Sequence, residues 1–183
     1  MSPTEAAKAE IEKRLSELEA AKVEADAQVD ESLRQWTAAQ ERLQMLRKLS
    51  VSSNARSKEL RQSARDAEAR AVAAIIEGAD FGAFADVDAI SVEISRIDRF
   101  VGRLLPEILN TASRAVVEAE AEHEDRLADQ CAALADLKHY RLSMAAAPLV
   151  QSEGAIQLSG GTTEALRAIA ARHRLTASTL RAQ

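Results

Sequence analysis

The chain has 183 residues, a net charge of -5 and 29% charged residues, a balance that keeps a protein in solution and argues against non-specific nucleic-acid binding by the whole chain. Its 46% hydrophobic content is mostly small: 38 residues are alanine and only 3% are aromatic, which leaves little bulk for the thick core of a globular enzyme. Alanine with Glu, Arg, Leu and Gln, only six Gly and only three Pro describe long, rarely interrupted helices packed in thin layers.

The first helix is expected over about 3–77. Ser2-Pro3-Thr4-Glu5 places an N-cap, a proline at the first helical position and a carboxylate at the third. An apolar seam follows: Ile11, Leu15, Leu18, Ala25, Val29, Leu33, Trp36, Leu43 and Leu46, with Lys22 lying along the groove. Two successive steps of four at Ala25, Val29 and Leu33 read as a stutter, which relaxes a left-handed supercoil. Ser50-Val51-Ser52-Ser53-Asn54 is the weakest helical stretch of this half, and a break or hinge at 50–54 is open. The seam resumes through Leu60, Ala64, Ala67, Ala71 and Ile75.

Residues 78–87 form the connection. Gly78 suits a left-handed C-cap, Phe81 and Phe84 suit a plug at the helix ends, and Asp86 or Asp88 suits the next N-cap. The second helix, about 87–147, has the cleanest seam: Val87, Ile90, Ile94, Ile97, Val101, Leu104 and Ile108. Pro106 predicts a kink near that point, since its ring would meet the carbonyl of Gly102. Farther on the seam takes Ala112, Val116, Ala119, Leu127, Cys131, Leu134 and Leu137, and Ala145-Ala146-Ala147-Pro148 closes it.

These elements predict an all-α fold: residues 1–148 form a long antiparallel coiled-coil hairpin, 149–161 a linker with a short strand at Ile156–Leu158, and 162–183 a small helical tail module. If the chain folds back at about residue 82, facing residue numbers sum to about 164. Glu118, Glu120, Glu122, Glu124 and Asp125 then oppose Arg34, Arg42, Arg47 and Lys48, while Glu24, Asp26, Asp30 and Glu31 lie near Lys138, His139 and Arg141. A lone hairpin of two such helices buries little, so pairing into a four-helix bundle or higher homo-oligomer is expected.

The tail Glu164-Ala165-Leu166-Arg167-Ala168-Ile169-Ala170-Ala171-Arg172-His173-Arg174-Leu175-Thr176-Ala177-Ser178-Thr179-Leu180-Arg181 resembles a helix-turn-helix. That resemblance implies Ile169, Ala170, Leu175 and Leu180 in a small core, Thr176 as a cap, and Arg172, Arg174 and Arg181 at phosphates. Arg174 stands where the turn usually has glycine, and no third helix follows. The same stretch resembles a lysin motif, with Ile156–Leu158 as the strand and Leu166, Ile169, Ala170, Leu175 and Leu180 in place, although the Gly-Asp-Thr turn and the final strand are absent. That resemblance implies binding of amino-sugar polymers or a place in phage tail machinery. A third reading is a helical hairpin that docks on a neighbour.

Catalytic signals are absent from the sequence. Glu120-Ala121-Glu122-His123 contains a single Glu-x-x-His, where di-metal bundles use two, so no metal site or cofactor is expected. His139, His173 and Cys131 are dispersed, no glycine-rich phosphate loop occurs, and Cys131 and Trp36 read as packing residues. The lone cysteine and the lack of an apolar leader or a membrane-length apolar run place the chain in cytoplasm, or in a virion assembled there, with no membrane partner. The expected function is that of a non-enzymatic structural or assembly protein acting through homo-oligomerisation and docking on other proteins. A DNA-binding regulator, touching nucleic acid through the tail only, is the rival expectation.

Overall fold

The computed structural model describes residues 3–78, 81–146 and 153–182. Among them the chain is helical but for turns at 77–78 and 182: α1 (Pro3–Ile76), a 3-10 helix (Phe81–Phe84), α2 (Ala85–Arg99), a π-helix (Phe100–Leu104), α3 (Leu105–Ala146) and α4 (Glu153–Arg181). Contacts divide the chain into two compact units: Met1–Ala39 with Val116–Gln183, and Gln40–Ala115. α1 begins at Pro3, as the proline signal implies; the expected cap at Ser2 lies outside the described residues.

α1 is continuous through residues 50–54, where a break was open. The reason is visible in its shielded positions. From Ile11 to Ala74 they follow steps of four and three in strict alternation, with no stutter. Ser32 takes the place that Leu33 was expected to hold: Ser32 is 4% exposed and Leu33 44%. Ser50, Ser53 and Ser57 continue the same line, so the serine cluster is seam and not hinge. Among the described residues Ser32 and Ser57 are the buried serines: Ser57 donates to Asp98 Oδ1 (3.0 Å) on the returning helix, and Ser32 donates to the carbonyl of Val29 while its Oγ lies 3.0 Å from His123 Nδ1.

The unit Gln40–Ala115 is an antiparallel helix pair. α1 stops at Ile76, and Gly78 adopts φ +98°, the left-handed C-cap expected of it. Nothing lies within 4 Å of the position a Cβ would take there, so Gly78→Ala meets conformational strain alone. An expected loss of about 1–2 kcal/mol follows, measurable by urea denaturation. The 3-10 turn leads straight into α2, with Phe84 as a helical-backbone N-cap; Asp86 and Asp88 therefore sit in the first turn and do not cap it. The side chain of Phe81 is outside the described residues, and Phe84 is half-buried.

α2 buries the expected stripe, with Val87, Ile90, Ile94, Ile97 and Val101 partly covered. There the expected seam fails. Leu104 is 52% exposed and Ile108 is exposed as well, whereas Leu105 is 1% exposed and Leu109 is half-buried. The π-helix explains the change of phase. Leu105 N–H bonds to Phe100 O, five residues back, so one extra residue is taken up and the seam moves on by one. The wide turn also lies just before Pro106, whose ring would otherwise press on the carbonyl of Gly102. The irregularity expected at Pro106 is thus a π-turn immediately before it.

Asp98 accepts from Ser57 Oγ and from Arg61 Nη2 (2.8 Å), and these bonds hold its carboxyl below the usual 3.8. A carboxylate lowered in the folded state stabilises the fold above its unfolded value and loses that stabilisation as pH falls through the folded one. Thermal melts of Asp98→Asn should therefore fall less than wild type between about pH 5 and about pH 2. Equal falls would show that the bonds are not maintained in solution.

The register differs from the expected one. In the unit Met1–Ala39 with Val116–Gln183, Ser32 meets His123 and Asp26 meets Gln130, pairs summing to 155 and 156 and not to about 164. In the other unit Ser57 meets Asp98, again summing to 155. The cause is the early reversal: α1 ends at Ile76, Gly78 takes the left-handed conformation, and Phe81 is already in the next helical turn. Arg34 pairs with Glu31 of its own helix and, among the described residues, not with the acidic run of α3. On the other flank Arg141 reaches Glu19 (2.5 Å), and Asp26 is bonded by Lys22 and Gln130.

A candidate docking interface on α3

Residues 153–161, expected as a linker with a strand, form the first turns of α4; the linker's residues 149–152 lie outside the described residues. α4 then runs unbroken to Arg181. The helix-turn-helix turn and the lysin-motif strand are both replaced by helix. The physical reason is a third heptad line: Thr163, Leu166, Ala170, His173, Ala177 and Leu180 are the shielded positions, with alternating steps of three and four. A stripe that continuous rewards one helix and offers nothing to a turn. Leu175 and Ile169, assigned to a small core by either resemblance, are exposed on the outside of this helix.

α3 receives α1 and α4 on opposite faces. His123, Arg126, Gln130 and Tyr140 bond to α1, through Ser32, Gln28, Asp26 and the carbonyl of Ile11. Glu118, Glu122, Glu124, Asp125, Asp129 and Asp136 bond to α4. From Val116 to Tyr140 only Glu118, Asp129, Asp136 and His139 are exposed, as befits a helix covered from two sides.

The α4-facing side of α3 is built from alanine. Ala121, Ala128 and Ala135, seven residues apart, are each 0% exposed. In the antiparallel register set by His173 with Glu124 and Arg181 with Glu118, Ala177 lies level with Ala121, Ala170 with Ala128, and Thr163 with Ala135. All six are buried. Small residues in layers let two helices approach closely, and they offer little apolar area in return.

Charge flanks the small-residue line. Arg181 reaches Asp125 (2.7 Å), Glu118 (3.4 Å) and Glu122 (3.8 Å), Arg174 reaches Asp129 (3.4 Å), and Arg167 reaches Asp136 (3.5 Å). His173 Nδ1 lies 2.6 Å from Glu124 Oε2 in a half-buried pair. The Asp125 carboxylate holds the Arg181 guanidinium above its ordinary value, with Glu118 adding to the effect. The acidic run therefore answers α4. Of the three arginines expected at phosphates, Arg174 and Arg181 are engaged on α3 carboxylates, and Arg172 is exposed.

No family model, curated protein or solved structure matches the chain.

The remaining candidate residues take structural places. His123 is bonded to Ser32 and stacked on Trp36, with ring centroids 5.5 Å apart, so the histidine of the Glu-x-x-His pair is taken up in packing, while Glu120 is half-buried. Trp36 Nε1 is buried and has no hydrogen-bond partner among the described residues. No group of three or more His, Cys, Asp or Glu is placed to hold a metal ion among them. Burial pushes the Cys131 thiol up, away from the reactive thiolate form. Ile11, Leu15, Leu18, Val29 and Trp36 are half-buried on α1, and Leu43 is buried. The interface on α3 had a signal in the sequence: alanines at 121, 128 and 135 answered by 163, 170 and 177. A search for bulky apolar residues passes over it.

Proposed function

We propose that this chain is a non-enzymatic structural or assembly protein whose work is helix–helix contact, and that it self-associates. The observation that carries the reading is the thinness of its packing. Nine of the thirteen buried apolar residues are alanine, and Leu105 is the one large side chain below 2% exposure among the described residues. Along α1 and α4 most described residues are exposed, with a single narrow line of shielded positions on each helix. That much uncovered helix surface is what further copies or partner helices cover in assemblies. No described helix is long and apolar enough to cross a membrane.

The tail resemblances lend no support to DNA or glycan binding, since α4 is a single helix with two of its three candidate arginines turned onto α3. Sedimentation equilibrium across a hundredfold concentration range tests the proposal. A concentration-dependent oligomer of fixed stoichiometry is expected. A chain that stays monomeric throughout, or one that instead binds duplex DNA with a steep salt dependence lost on Arg172→Ala, would overturn it.

A further inference from the structure

We propose that the acidic, alanine-lined face of α3 is a docking groove for a basic small-residue helix that can be filled in trans, so that α4 of one copy seats on α3 of another. The seated α4 shows what the groove selects. It takes an antiparallel helix with a small residue at every seventh position, Thr163, Ala170 and Ala177, and with cations at Arg167, Arg174 and Arg181 over a line of carboxylates. The ion pairs of Arg167, His173, Arg174 and Arg181 on α4 all go to α3, so the recognition information is in one helix face.

The bond is of an exchangeable kind. Alanine layers bury little apolar surface, and the arginine pairs are largely exposed, so salt and water compete with them. A second copy's α4 carries an identical face. It can replace the resident helix without loss of any contact, which is the condition for exchange of an element between copies.

Two charge-reversed full-length chains test this. One carries Arg167→Glu, Arg174→Glu and Arg181→Glu; the other carries Glu118→Arg, Asp125→Arg, Asp129→Arg and Asp136→Arg. Alone, each should show α4 amides exchanging at least about tenfold faster than wild type, with α1 and α3 protection retained. A single chain carrying both sets should recover α4 protection, which also shows that the α3 substitutions permit folding. Mixed, a tagged copy of the first should capture the second in equal amounts, with α4 protection regained, and should capture wild type far less. General self-association would raise both captures alike, so failure of the self-association proposal is distinguishable from failure of this one. Reversed chains that keep α4 protected, a doubly reversed chain that does not recover it, or recovery in the single chain without selective capture in the mixture would each overturn the proposal.

Discussion

Leu105→Ala is expected to lower the unfolding free energy by about 2–5 kcal/mol, while Leu104→Ala lowers it by about 0.5 kcal/mol or less. The two leucines are neighbours with the same helix propensity, so the contrast isolates burial. Leu105 is 1% exposed and Leu104 52%. An α-helical reading of the seam gives the opposite order, because Val101, Leu104 and Ile108 continue the pattern of Ile94 and Ile97. Only the i to i−5 bond from Leu105 to Phe100 turns Leu105 inward. Urea denaturation of the two variants, read by circular dichroism, decides between them. Equal costs, or a greater cost at Leu104, would mean that the π-turn is absent in solution.

The second large effect is expected at the alanine layers. Ala121→Leu or Ala128→Leu introduces four-carbon bulk where side chains are 0% exposed and a partner helix lies level. Overpacking of a closed site costs about 1–3 kcal/mol, and here the strain has a ready outlet: α4 moves off. We expect α4 amide protection to collapse toward that of a free helix, while Ser32–His123 and the rest of the α1–α3 pair stay protected. Ala168→Leu, exposed on the outside of α4, serves as the control and should change stability by about 0.5 kcal/mol or less. Loss of protection in both variants would point to helix propensity, and retention in both would show that the alanine faces do not meet. Raising salt from about 0.05 to about 0.5 M should loosen α4 in wild type as well, since its flanking ion pairs are exposed and screened at that strength.

What the residues by themselves determined is the helical class, the Pro3 start, the Gly78 stop and most of the apolar stripe of α1 and α2. Each of these follows from local rules: propensity, backbone conformation and three-four spacing act within a turn or two of chain. Tertiary structure decided everything that depends on what lies opposite. The step at Leu33 reads as a stutter and Ser50 and Ser53 as part of a weak stretch, yet Ser32, Ser50, Ser53 and Ser57 are seam positions because helix geometry carries the line through them. Across the interface Ser57 donates to Asp98, and Ser32 Oγ shares a hydrogen bond with His123 Nδ1. Leu33, Leu104 and Ile108 look like seam residues and face outward, the first because the unbroken heptad passes through Ser32 and the other two because of the π-turn. The tail reads as two short helices until α3 supplies a matching line of alanines and carboxylates, against which one straight helix is the better solution. Burial is a property of pairs of surfaces. A single helix's sequence states which residues are able to be buried, and the facing helix settles which of them are.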